Sequence, residues 1–139
     1  MKTRYTLDCV QEYEFSVLGI NSHAKAYKLC WNINKILNLS LEKKEDQIIN
    51  KEMSFSRYEY VTDEGVEYNI LTNRSKKGYL IPDKKNINYF LILNNKLRDL
   101  EKQEIMVKLK NNKEVLFVFE IDIENSKYTE RFIFNDKEN

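Results

Sequence analysis

Residues Leu80–Leu93 read LIPDKKNINYFLIL. The stretch holds the chain's single proline, then a charged corner, then a run almost wholly apolar or aromatic. From Ile87 the run alternates as a strand does: Ile87, Tyr89, Leu91 and Leu93 point one way, Phe90 and Ile92 the other. Apolar side chains on both sides of a strand need cover on both sides of its sheet, so this strand is interior. Pro82 has no N–H and a fixed φ, which suits a corner and not a central strand. The expectation is a short strand over Tyr79–Ile81, ended by Pro82, with the Lys-rich sequel turning the chain into the buried strand.

A second apolar run, Val115–Ile121 (VLFVFEI), sets Val115, Phe117, Phe119 and Ile121 against Leu116 and Val118 and is also read as interior. Between the two runs, Asp99–Lys110 has Ile105, Met106 and Leu109 at helical spacing, with Leu100 and Val107 off that stripe. Strand, helix, strand predicts a parallel pair joined by a right-handed crossover. Upstream, Ser54–Val61 and Val66–Asn73 alternate at period two. The link between them, TDEG, places Gly65 where a positive φ is needed, so they form a hairpin.

Earlier still, Ser22 is a suitable N-cap for a helix ending near Leu37. Its core stripe is Ala26, Leu29, Cys30, Ile33, Ile36 and Leu37. Arg4–Val10 reads as a first strand, with Tyr5, Leu7 and Cys9 on one side. Tyr13–Leu18 fits either a strand or the approach to the helix. Glu130–Phe134 reads as a last short strand, followed by a frayed polar tail from about residue 135. The fold class is therefore α+β: one domain over residues 1–139, a mostly antiparallel sheet of five to seven strands, and two principal helices packed on it.

Composition bounds the function. The chain has 139 residues, 42% hydrophobic and 32% charged, enough to bury a core without staples. Its 23 Lys and Arg nearly balance its 22 Asp and Glu, so no strong overall field draws it to nucleic acid or to an anionic membrane. No apolar run approaches the roughly 20 residues of a membrane span, and MKTRYTLDCV lacks the apolar centre of a signal peptide. Cys9 and Cys30 form no CxxC pair and are read as reduced and packed, hence a cytosolic chain.

Reactive constellations are sparse. A nucleophile needs a base, usually His. The one His, His23, begins the first helix off the stripe that carries Cys30, and is read as exposed or capping. One His and two distant Cys do not make a zinc site. Pairs such as Asp63–Glu64 and Glu101/Glu104 fall in a turn and on a solvated helix face, and three isolated glycines cannot cradle phosphates. The expectation is no catalytic residue, no cofactor, no metal and no small-molecule substrate.

Surface aromatics carry more. Trp31 lies roughly 150° from the core stripe at 100° per residue, with Lys28 at i−3, Lys35 at i+4 and Tyr27 between the two faces. Such a Trp either anchors a protein interface or lies beneath a second layer. A protein partner, or a second copy, is the first reading. The alternative is an RNA-associated accessory protein. In that reading Tyr58, Tyr60 and Tyr68 stack bases beside Arg57, with Lys76, Lys77, Lys84 and Lys85 in neighbouring loops.

The IPDKKNINY segment resembles the signature of a bacterial family named for its own motif, IPExxxVDY. Ile81, Pro82 and Tyr89 match; Asp83 stands for Glu, Ile87 for Val, and Asn88 for Asp. The upstream INSHAKAYKLCWNINKIL, with its Leu29-Cys30-Trp31 triplet, is similar to the family's early helix, and the likeness covers most of the chain. The family has no assigned activity, so the resemblance implies no mechanism. A role in relatives for an acid at position 88 would be missing here, and the signature is expected to be structural.

Overall fold

The computed structural model describes residues 14–123 and 127–134. The expected strand over Arg4–Val10, its Cys9 and the polar tail lie outside the described residues. Over the described residues the fold is α+β: a six-stranded, wholly antiparallel sheet with two helices. In chain order the elements are β1 (Ser16–Asn21), α1 (Ala26–Leu37), β2 (Glu42–Ile49), β3 (Met53–Val61), β4 (Glu67–Thr72), β5 (Tyr89–Leu93), α2 (Asp99–Lys110) and β6 (Phe117–Glu120). In space the strands run β2-β3-β4-β5-β1-β6.

The strand in YFLIL is interior as its pattern requires: β5 pairs with β4 on one side and β1 on the other, and all five residues are buried. The anticipated parallel pair is corrected. β5 and β6 do share a direction, since both run antiparallel to β1, but β1 lies between them. The α2 crossover thus joins strands that are not neighbours. β6 is corrected too: among the described residues it is an edge strand, and its Phe117 is 58% exposed.

Alternation sorts the core into two layers. Leu18, Ile20, Ile70, Tyr89, Leu91 and Leu93 face the helices, which contribute Leu29, Cys30, Ile33 and Leu109. Each Leu or Ile so buried contributes about 1.5–3 kcal/mol. The opposite layer holds Val17, Phe55, Leu71, Phe90 and Ile92. Irregular chain covers it: the loop with Leu80, Ile81 and Ile87, and a C-terminal 3-10 turn (Thr129–Phe132) whose Phe132 ring meets Phe90 edge-on at 5.0 Å.

Local chemistry sets the boundaries. α1 begins four residues after Ser22, with Lys25 at the N-cap and no side-chain cap. Ser22 instead is buried, accepts from the Ala24 amide and donates to the Glu114 carbonyl. Asn38 in the left-handed region closes the helix. α2 matches its expected bounds; Leu109 is buried, while Leu100 and Val107 are exposed. The β3–β4 hairpin forms, with Gly65 at φ +88°. β2 is an additional strand, in a stretch to which the sequence assigned no element; its turn into β3 sets Asn50 and Lys51 at φ 56° and 62°. Two expected strands are not strands: Tyr79 makes only an isolated bridge to Arg74, and residues 129–132 form the 3-10 turn.

Candidate functional site

The outer face of α1 is the first candidate. Tyr27 is 66% exposed and Trp31 56%, and their i, i+4 spacing puts them on one side of the helix. One further turn on, the Lys35 ammonium sits 3.4 Å from the Trp31 ring centroid, a cation–π contact that holds the indole against the helix. Lys28 leans the other way, onto Glu114 at 3.3 Å. The helix sequence, AYKLCWNINKIL, contains no acid, so the exposed aromatic pair lies in a cationic rim. Among the described residues no second layer covers Trp31, and all four residues expected here share this surface.

The tyrosine hairpin is arranged differently. Tyr58, Tyr60 and Tyr68 are half-buried and pack against the helix-side core. Burial pushes the Tyr58 and Tyr68 hydroxyls above their ordinary range. Arg57, at 3% exposure, points to the other layer. There it donates to Asn69 Oδ1 at 2.8 Å and stacks over Phe134 at 4.7 Å. The sheet separates Arg57 from the three tyrosines. Lys76 and Lys77 lie exposed in the loop after β4.

The signature segment is built around a residue that sequence reading missed, Asn73. It is fully buried; its Oδ1 accepts from the Ile81 amide (2.9 Å), and its Nδ2 donates to the carbonyls of Lys84 (2.9 Å) and Ile87 (2.8 Å). An Asn between the end of a strand and a polar loop is the available signal, since such residues organise loop backbone. Pro82 opens a 3-10 turn (Pro82–Lys84) with its ring at the first position, where a missing N–H costs nothing. Ile81 and Ile87 plug the irregular-chain layer, so Ile87 points opposite to Tyr89 and not with it as the alternation from Ile87 had it. The Tyr89 hydroxyl donates to the Ala24 carbonyl at 2.5 Å, tying β5 to the approach of α1. Asp83 and Asn88 are exposed, and Asn88 Oδ1 accepts from the Ser22 amide at 2.7 Å.

Burial pushes the Cys30 thiol up to about 12, so near neutral pH it stays protonated and is a poor nucleophile. His23 is exposed. Among the described residues, no three His, Cys, Asp or Glu side chains gather where they could hold a metal ion, and no helix is long and apolar enough to cross a membrane. Known protein-family models give no match to this chain, and no curated protein matches it.

Proposed function

We propose that the chain is a non-enzymatic, cytosolic interaction module that binds a protein partner through the outer face of α1. The observation that carries this is Trp31, more than half exposed and held by Lys35. A large aromatic left in solvent within a lysine rim suits a partner with an apolar slot edged by Asp and Glu. Tyr27 extends the contact by one turn, and Lys28 supplies rim charge. Membership of the IPExxxVDY family belongs to the same reading and rests on Ile81, Pro82 and Tyr89; the free, buried Cys30 supports a reducing compartment. RNA association has less support, because the half-buried tyrosines and the buried Arg57 do not form one stacking platform.

The chain has one Trp, so Trp31 reports on its own surface. Partners recovered by pull-down are to be titrated against the purified protein while its emission is followed. The expected result is a blue shift on binding, with recovery lost in Trp31→Ala and weakened in Lys35→Glu. Light scattering separates self-association from a foreign partner. Equal recovery by wild type and Trp31→Ala, with Trp31 emission unmoved, overturns the reading.

A further inference from the structure

At the end of the sheet where β1 gives way to α1, a cavity of about 420 Å³ opens between the approach to the helix and the signature loop. Its walls carry four basic side chains from three segments: His23 and Lys25 before α1, Arg74 after β4, and Lys85 after the Pro82 turn. Among the described residues, no carboxylate lines it. Among the described residues, Lys25, Arg74 and Lys85 form no ion pair; Lys85 rests on the Tyr79 ring at 5.6 Å. Cations brought together from separate segments, unpaired and facing one concavity, repel one another until an anion enters. Two further features point the same way. α1 begins at this wall with no side-chain cap and no acid in its first turn, so its partial positive charge is uncompensated. Asn88, also in the wall, spends its Oδ1 on the Ser22 amide, and its Nδ2 has no partner among the described residues.

We propose that this cavity binds a small phosphate monoester. A dianion matches several cations better than a carboxylate does, and Arg74 can grip two of its oxygens at once. The volume is that of a small-molecule site. The signature loop then has a role beyond a corner: Asn73 holds the turn that brings Lys85 and Asn88 to the rim.

Backbone amide NMR tests this, titrating the full chain with inorganic phosphate, β-glycerophosphate or acetate at constant ionic strength. The expected result is saturable shifts confined to residues 22–27, 72–79 and 85–89, with both phosphates binding more tightly than acetate. Asn88→Asp keeps the acceptor for the Ser22 amide but sets a carboxylate in the wall. Arg74→Ala removes an exposed cation without touching the core. Each is expected to weaken β-glycerophosphate binding about tenfold or more, Arg74→Ala by losing a charge-assisted contact and Asn88→Asp by repelling the phosphate. If Asn88→Asp lowers the melting temperature, Arg74→Ala alone decides. Shifts spread equally over Lys43, Lys44, Lys108 and Lys110, or unchanged affinity in the deciding variants, overturn the proposal. So does tighter binding of a short RNA without terminal phosphate, which would make the cavity part of a larger groove.

Discussion

The two faces of the sheet are covered by different means. On one, α1 lays a regular apolar stripe over Leu18, Ile20 and Leu91, and α2 adds Ile105, Met106 and Leu109. On the other, no helix longer than a single turn serves among the described residues, and loop chain does the covering. A helix satisfies its own backbone and needs only a stripe to dock. A loop laid on a core carries amides and carbonyls that need partners. The second face accordingly depends on specific polar side chains. Asn73 binds the signature turn, Arg131 donates to the Leu80 carbonyl at 2.8 Å, and Gln47 donates to the Arg131 and Ile133 carbonyls at 3.1 and 3.0 Å.

The strongest attempt to break this contrast is Phe90→Ala. Phe90 is fully buried under loop chain, and its loss is expected to cost about 3–5 kcal/mol in urea denaturation. Leu29→Ala on the helix face is expected to cost about 2–5 kcal/mol. A Phe90→Ala cost below about 1 kcal/mol would reduce the loop layer to decoration, since even a minor core truncation costs that much.

Asn73→Ala comes next. It strands the Ile81 amide and the Ile87 carbonyl and takes one of two donors from the Lys84 carbonyl, and a cost of about 2–3 kcal/mol is expected, within the range for unsatisfied buried groups. Amide exchange should quicken at residues 80–88 and leave α1 unchanged. Equal quickening in both would show that the faces do not open separately.

The last test sharpens the comparison through pH. Cys30 and Tyr89 both lie in the helix-side layer, and burial raises each to about 12 from ordinary values of 9.0 and 10.0. Above pH 9 the unfolded chain releases these protons while the folded chain still holds them. The stability they support is complete below about pH 9 and falls as pH rises toward 12. The urea midpoint should decline over that window, less steeply in Cys30→Ala. An identical slope in the variant rules the thiol out as a cause.

What was legible in the sequence follows the same division. The α1 stripe, the doubly apolar β5 and the Gly65 hairpin were readable because burial repeats at a fixed period. Ser22 misled because a serine before a helix can serve a loop as well as a cap. β2, with EKKEDQII, escaped because an edge strand needs only backbone pairing on one side, and charge protects its open edge. β6 misled in the opposite sense: VLFVFEI has the composition of an interior strand, yet Leu116 and Phe117 stay in solvent. The α1 aromatics were found by angle alone. The cationic cavity was not legible, since it assembles Lys25, Arg74 and Lys85 from segments whose neighbourhood the strand order creates.

That strand order also shapes how the chain is made. Ser16 pairs with Leu93, and Leu18 with Glu120, so β1 leaves the ribosome long before either neighbour exists. At ordinary synthesis rates it waits on the order of several seconds, its Val17, Leu18 and Ile20 without shelter. The β2–β5 meander can zip up stepwise, but the sheet closes only when the newest segment clasps one of the oldest. Birth of this protein is thus a late, long-range event, and its nascent form is the state most exposed to capture by a chaperone.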